Sequence, residues 1–293
     1  MNLPPSNASN DATRGILWML FGMLMFTNVN GITKHLTETY PLAEVVWGRF
    51  FFHVLFLVLI FNRRIPNLLA SNARGLQIGR SALMLGSTVL IFLSFHLNPM
   101  VEASAVLSTA PIIVTALSGP LLGEPVGFKR WIAVLVAFGG MLIIMRPGTS
   151  DMQIGILVPL VAACVLSGYQ ATTRLVSRHD PVMTTVLYTP IIGLAVSSLV
   201  VPVYWVPLAP YDWLLMAAFG AFGLAAHFCL IQAFAAAPAA AVAPFHYSGI
   251  LWAGLYGFVL FGALPGSWTI AGTAVIFCAG LYIVRQELPR RGS

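Results

Sequence analysis

A few residues able to carry charge lie inside stretches that are otherwise apolar. "AEVVWGRFFFH" sets Arg49 and His53 one helical turn apart, on one face. "FHLNPMVEASAVLSTAPIIV" carries His96, Glu102 and a row of hydroxyls, and later runs add His227, Gln232, His246 and Tyr247. An ionisable side chain in the middle of a membrane helix costs about 2.5–3.5 kcal/mol on insertion scales, so each needs a partner or a use. Arg49 can act as the counter-charge of a substrate carboxylate. It can equally be held by Glu44, Glu102 or helix-end carbonyls. Glu102 follows Pro99 in the first turn of its helix. It is either a helix-start charge favoured by the dipole or a group taking an amine or a proton at a cavity mouth.

Neutral polar groups extend the set. Asn28 and Asn30 fall in the first apolar run, Tyr169 and Gln170 in the sixth. Ser104, Ser108, Pro111, Thr115 and Ser118 are spaced 4, 3, 4 and 3, which is one helical face. Such a face allows close helix approach or lines a cavity. Phe245, His246 and Tyr247 are consecutive and would span about 200° of a helix, so at least one should point inward. Trp47 offers a further aromatic face. Amphipathic aromatics suit a pocket for small zwitterions. The candidate cavity set is therefore Asn28, Asn30, Trp47, Arg49, Glu102, Ser108, Tyr169, Gln170, His227, Phe245, His246 and Tyr247. Pro99, Pro111, Glu124 and Pro238 are candidate hinge or gate positions. Pro111 removes a backbone hydrogen bond in mid-span.

The elements that must position these groups are membrane helices. Of 293 residues, 58% are hydrophobic and 8% charged, against about 25% charged in a soluble domain. Ten runs are long enough to cross: 14–36, 41–61, 76–97, 100–122, 128–146, 152–176, 181–202, 211–237, 239–261 and 267–285. They are continuously apolar rather than alternating, which argues against a β-barrel. With the N-terminus in the cytoplasm, twelve Lys and Arg fall on that side: Arg14, Arg63, Arg64, Arg74, Arg80, Lys129, Arg130, Arg174, Arg178, Arg285, Arg290 and Arg291. Two, Lys34 and Arg146, fall on the other. This positive-inside bias places both termini in the cytoplasm. The net charge of +6 is dispersed between the runs rather than gathered in a stripe, so no nucleic-acid partner is expected. Cys164, Cys229 and Cys278 sit in separate runs and read as small buried hydrophobes.

The second half repeats the first. At an offset of 140, Thr27 meets Ser167, Asn30 meets Gln170, Thr33 meets Thr173 and Pro41 meets Pro181. At 139, Phe95 meets Phe234, Pro99 meets Pro238 and Arg146 meets Arg285. Five spans per unit is an odd number, so the second unit enters the membrane inverted. Inverted repeats place a substrate site near the midplane and allow alternating access. The resulting organisation is a disordered tail at 1–13, one repeat at 14–148, a second at 149–286 and a tail at 287–293.

The chain resembles the EamA family of the drug/metabolite transporter superfamily. The resemblance rests on "WGRF" around Arg49, "EASAVLSTAPIIVTALSGPLLGE" from Glu102 to Glu124, and "GGMLIIMRPG" from Gly139 to Gly148. The second copy departs from it, with Ile250 opposite Pro111 and Ala263 opposite Glu124. The resemblance implies ten helices around a central cavity in the bacterial inner membrane, and export of small metabolites. Within the family the chain looks most similar to exporters of aromatic and other neutral amino acids. Drug, sugar or nucleoside transport is the alternative within the same fold, and an intramembrane enzyme the alternative outside it.

No HExxH, GxSxG, P-loop or CxxC is present, so the reading is a transporter, not an enzyme, without metal or cofactor. Protons are the candidate coupling ion, and a monomer or weak dimer is expected. Single cysteines at Ser71 and Ser293, in a background lacking the native three, should resist an impermeant thiol reagent in intact cells. They should react after permeabilisation. Labelling of either in intact cells would reverse the orientation.

Overall fold

The computed structural model describes residues 8–122, 128–146, 155, 157–237, 242, 245–246, 248–262 and 266–287. Every regular element among them is helical. In chain order these are α1 (Ala8–Thr39), α2 (Leu42–Phe61), the single turn α3 (Ile65–Leu68), α4 (Arg74–Leu97), α5 (Met100–Leu107) and α6 (Ala110–Leu122). There follow α7 (Phe128–Met145), α8 (Leu157–Val176), α9 (Val182–Tyr188), α10 (Ile191–Tyr204), α11 (Pro210–Ala236), α12 (Ser248–Phe261) and α13 (Ser267–Glu287). Five helical stretches among the described residues are long and apolar enough to cross a membrane: Thr13–Thr39, Leu42–Arg64, Arg74–Leu97, Val182–Tyr204 and Pro210–Ala236.

Prolines begin these helices where the missing N–H does no harm. Pro41, Pro99 and Pro181 are the N-caps of α2, α5 and α9, and Pro210 opens α11. In mid-span they break them. The helix expected over 100–122 is interrupted at Ser108 and Thr109, because Pro111 has no N–H to offer the Leu107 carbonyl. The backbone tightens there into three-residue turns, Thr109 N–H to Val106 O and Ile112 N–H to Thr109 O, both 3.0 Å. The helix expected over 181–202 breaks in the same way at Thr189 and Pro190. α1 begins at Ala8, inside the tail expected to be disordered. Its 32 residues extend about 48 Å at 1.5 Å per residue, more than the hydrocarbon core requires. α12 begins only at Ser248, and Phe245 and His246 form a 3₁₀ turn before it. The helical-face argument therefore does not apply to Phe245 and His246, and Tyr247 lies outside the described residues.

Surface and interior follow the logic of a bilayer. Leu59, Leu199, Val203 and Leu214 are exposed, whereas Thr33, Glu44, Arg49, His53, Gln77 and Arg80 are buried. Cys229 is buried as expected, but Cys164 and Cys278 lie on the outside of the bundle. α1 packs along α11 and α4 along α8. α2 lies against α10 and α11, α7 against α13, α6 on α8 and α12 on α1. Small residues set the closest approaches. A Cβ on Gly140 would stand 2.8 Å from the Gly272 carbonyl oxygen, and one on Gly272 would strike the Gly140 carbonyl.

One polar knot lies at the end of the bundle. Asp180, between α8 and α9, accepts hydrogen bonds from Ser71 Oγ (2.5 Å), Asn72 N–H (2.8 Å) and Gln77 Nε2 (2.8 Å). It ties the 69–73 loop and the start of α4 to the corner of the second half. Burial alone would push its carboxyl upward, but the Ser71, Gln77 and Asn72 donors outweigh it and hold it below the usual aspartate range. A depressed folded-state value stabilises the fold at pH above the unfolded aspartate value. That stability is lost as pH falls through the folded value. Asp180→Asn should lower stability by roughly 1–3 kcal/mol at neutral pH. It should also flatten the acid limb of a melting-temperature profile below about pH 4. A variant with an unchanged acid limb would remove Asp180 from that account.

Candidate functional site

The first half supplies α1, α2, α4 and α5 to a single central cavity, and the second supplies α8, α11 and the turn before α12. About 80 Å³ of it is open to the centre of a water molecule. At about 10–15 Å³ per water that is a small cluster of waters, too little for a metabolite without opening.

Arg49 lies at the heart of it. α2 is apolar enough to cross the membrane, and its inward face carries Glu44, Val45, Arg49 and His53. The guanidinium is 4% exposed. It donates to Thr88 Oγ1 at 3.0 Å and meets His227 Nε2 at 2.9 Å. The Phe92 ring lies 5.2 Å from its carbon. The expected pairing with Glu44 or Glu102 does not form. Glu44 instead accepts the Val206 N–H at 3.1 Å, and Glu102 lies within the field of Arg146. Among the described residues no carboxylate reaches Arg49, and its Nε has no hydrogen-bond partner. Gly223 on α11 leaves room for it, since a Cβ there would touch Nε at 3.7 Å.

A second buried arginine stands beside the cavity. Arg80, read from the sequence as a cytoplasmic charge, is 0% exposed. It donates to Thr173 Oγ1 (2.8 Å), Thr189 Oγ1 (3.0 Å), the Thr185 carbonyl (3.3 Å) and Tyr169 Oη (2.7 Å). Its signal was present in the sequence. Gln77, Arg80, Ser81, Met84, Ser87 and Thr88 recur at helical spacing on the buried face of α4.

The two arginines are joined through Tyr169 and His227, whose Nδ1 lies 3.1 Å from Tyr169 Oη. Hydrogen-bond chemistry fixes the tautomer. A guanidinium only donates, so Nε2 must accept from Arg49. The neutral ring then carries its proton on Nδ1 and donates it to Tyr169 Oη. Phe26 meets the His227 ring edge-on at 5.0 Å, and His53 stacks on it at 6.0 Å. Both His53 nitrogens lack hydrogen-bond partners among the described residues.

Of the residues singled out from the sequence, Asn30, Arg49, Ser108, Tyr169, Gln170, His227 and His246 line this one cavity. Gln170 Nε2 and His246 Nε2 lie 3.3 Å apart. Asn30 and Gln170, matched at the 140 offset, face it from opposite halves. Four candidates lie elsewhere. Asn28 is held by Leu24 O and by Tyr256 Oη, at 2.9 and 2.7 Å. Trp47 donates to Ser198 Oγ at 3.2 Å and stacks on Phe51, away from the cavity. Glu102 is half-buried outside it, and Phe245 packs on the hydrophobic core. Pro99 caps α5 on the exposed side. Tyr247, Glu124 and Pro238 lie outside the described residues, and of Pro111 only the backbone within α6 is described. Thr88 and Ser87 line the cavity without having been singled out for it, and Ser104 joins them from the hydroxyl face of its helix. Hydroxyls on a membrane helix serve packing as readily as binding, and only the tertiary arrangement distinguishes the two.

Residues 13–146 match the EamA-like transporter family. That stretch is similar to membrane transporters of the EamA type, and the likeness to curated transporters extends over nearly the whole chain. It is 27% identical over 279 residues to a riboflavin transporter of Vibrio cholerae, with 94% of each chain covered. It is 24% identical to an S-adenosylmethionine uptake transporter of Rickettsia prowazekii, covering 95% of this chain and 96% of the other. It is 27% identical to a pseudopaline exporter of Pseudomonas aeruginosa, covering 93% and 96%. A solved structure shares its fold, with a TM-score of 0.64 over 97% of this chain and 98% of the other at 18% identity. These three relatives are named for chemically different small metabolites, one for uptake and one for export, and none of the three is named for amino acids.

Tyr169 joins the two buried cations and is itself fully buried. Tyr169→Phe should leave Arg80 short of an acceptor and the His227 Nδ1–H unpaired. The loss should be roughly 1–3 kcal/mol of stability, read as a lower melting temperature in detergent. An unchanged melting temperature would show that this bridge carries no load.

Proposed function

We propose that this protein is a transporter of the EamA type that carries a small carboxylate-bearing metabolite across the bacterial inner membrane by alternating access, with neutral amino acids as the substrate class. The observation that carries the proposal is Arg49, a buried guanidinium on the cavity with no carboxylate against it among the described residues. A fixed buried cation without an anionic partner is costly, and a substrate carboxylate would supply that partner. Ser104 Oγ and Gln170 Oε1, on residues that line the same cavity, also lack partners. An acceptor and a hydroxyl near a cation suit the ammonium and carboxylate of a zwitterion. S-adenosylmethionine, named for one relative, is itself a methionine derivative.

In this reading ten spans form two inverted units, 14–148 and 149–286, with both termini cytoplasmic. Helix packing supports it. Exchanging the halves turns the α1–α11 contact into α8–α4 and the α6–α8 contact into α12–α1, and it maps α7–α13 onto itself; all of these contacts occur. The small cavity corresponds to a closed stage, and the breaks at Ser108 and Thr189 are the places where α5–α6 and α9–α10 would bend to admit substrate. Net direction follows the substrate gradient, outward when the metabolite accumulates.

Counterflow in proteoliposomes with labelled L-phenylalanine, S-adenosylmethionine, riboflavin and a sugar tests the substrate class. Exchange of a sugar or riboflavin and of neither amino-acid compound would refute it. Arg49→Gln should remain folded and bind L-phenylalanine roughly ten- to a hundredfold more weakly, the scale of a lost charged hydrogen bond. Loss of protein yield with unchanged affinity in the surviving protein would return Arg49 to a structural role.

A further inference from the structure

We propose that His227 is a proton-binding site that fills when a carboxylate takes the guanidinium of Arg49, so that substrate and proton cross together. This rests on the carrier reading above. The geometry makes the two states of His227 mutually exclusive with the two occupants of Arg49. In the present arrangement Nε2 accepts from Arg49 Nη2 at 2.9 Å, and Nδ1–H donates to Tyr169 Oη, which also accepts from Arg80. A proton on Nε2 would face a donor with another donor, and set one cation against another. The empty carrier therefore keeps the ring neutral.

A carboxylate arriving at Arg49 changes both terms. It draws the Nη2 donor to itself and frees the Nε2 lone pair. It also places a negative charge beside the ring, where an imidazolium is favoured and can donate to the bound oxygen. Nε2 takes the proton from water, and Nδ1–H keeps its bond to Tyr169. The carboxylate and the proton cancel beside Arg49, and the ammonium of the zwitterion remains, so each amino acid crosses with one net positive charge. Leaving, the carboxylate returns Arg49 to Nε2 and the proton to water. Export down a substrate gradient then carries a proton outward, and an acidic exterior drives the reverse.

The groups facing His227 single it out. From α2 come Arg49 and His53, the latter stacked at 6.0 Å with no partner among the described residues to hold a proton. From α8 comes Tyr169, and behind it Arg80 of α4. α1 presents the neutral Phe26 edge, while its Lys34 pairs with Glu38 at 3.7 Å. α9 brings Tyr188, which donates to the Leu69 carbonyl instead. His246, on the cavity's other side, meets Gln170. Of these titratable groups, only His227 touches the guanidinium that would bind the anion, among the described residues.

The test uses purified protein in nanodiscs, with radiolabelled L-phenylalanine binding and proton uptake followed together by a pH dye in weak buffer. Phenethylamine, which lacks the carboxylate, is the control. About one proton should be taken up per phenylalanine bound at neutral pH, and none with phenethylamine. In His227→Gln the amide can still accept from Arg49 and donate to Tyr169, and binding should take up no proton. His53→Gln should keep the uptake. Nitrogen-15 spectra of imidazole-labelled wild-type protein should show the Nδ1–H tautomer at His227 without phenylalanine and the doubly protonated ring with it. Phenylalanine binding without proton uptake, uptake that survives His227→Gln, or an Nε2–H tautomer in the empty protein each overturns the proton site and leaves the carrier intact. Failure of phenylalanine and S-adenosylmethionine to bind at all overturns the carrier's substrate class, and the proton site falls with it.

Discussion

Two guanidinium groups, buried with no carboxylate against them among the described residues, set the terms for the middle of this protein. A charge inside a membrane protein must be met by dipoles, by opposite charge or by water, and here dipoles meet it. Thr88 and His227 serve Arg49; Thr173, Thr189, the Thr185 carbonyl and Tyr169 serve Arg80. The acceptors come from α4, α8, α9, α11 and the residue after α9, so neither cation can be satisfied until both halves of the chain have packed. The polar core thus specifies how the halves dock, a task that the apolar outer surface is too uniform to perform.

The same constraint explains why the cavity sits where it does. Arg49 is satisfied incompletely, Arg80 more fully, and the open space lies beside the first. Neutral donors and acceptors hold a cation without cancelling it. An anion entering from either side then meets undiminished charge in a low-dielectric surrounding, where the attraction is far stronger than in water. A fixed glutamate in the place of His227 would have closed that opportunity. An imidazole holds Arg49 by one lone pair, and the contact can be exchanged without tearing an ion pair apart.

Proline and glycine govern how far the scaffold can respond. Proline at helix starts is compatible with the fold, while Pro111 and Pro190 interrupt spans that hydropathy alone treats as continuous. The breaks leave local backbone groups bonded in tighter turns beside Ser108 and Thr189, residues that face the cavity and Arg80 respectively. α7 and α13, by contrast, are locked by backbone contact at Gly140 and Gly272, too close to tolerate any side chain. The molecule therefore combines one closely packed helix pair with interrupted helices around the polar core.

The sequence by itself determined the solvent, the helical class and the family resemblance, because composition and apolar run length depend on no partner. It also marked seven of the residues that line the cavity, since a polar group in an apolar run stands out whatever surrounds it. Orientation within the run did not follow so directly. Asn28, Trp47 and Phe245 have the right chemistry and point elsewhere, and the difference from Asn30 is a rotation of two residues about a helix axis. Arg80 was assigned to solvent because distance along the chain from a helix start does not say what packs over it. The pairing of Arg49 was decided only in three dimensions. Of its nearest carboxylates in sequence, Glu44 accepts the Val206 N–H and Glu102 lies outside the cavity, and a histidine 178 residues away takes their place. Hydrogen bonds are short and directional. They are settled by where whole helices come to rest, which no local pattern records.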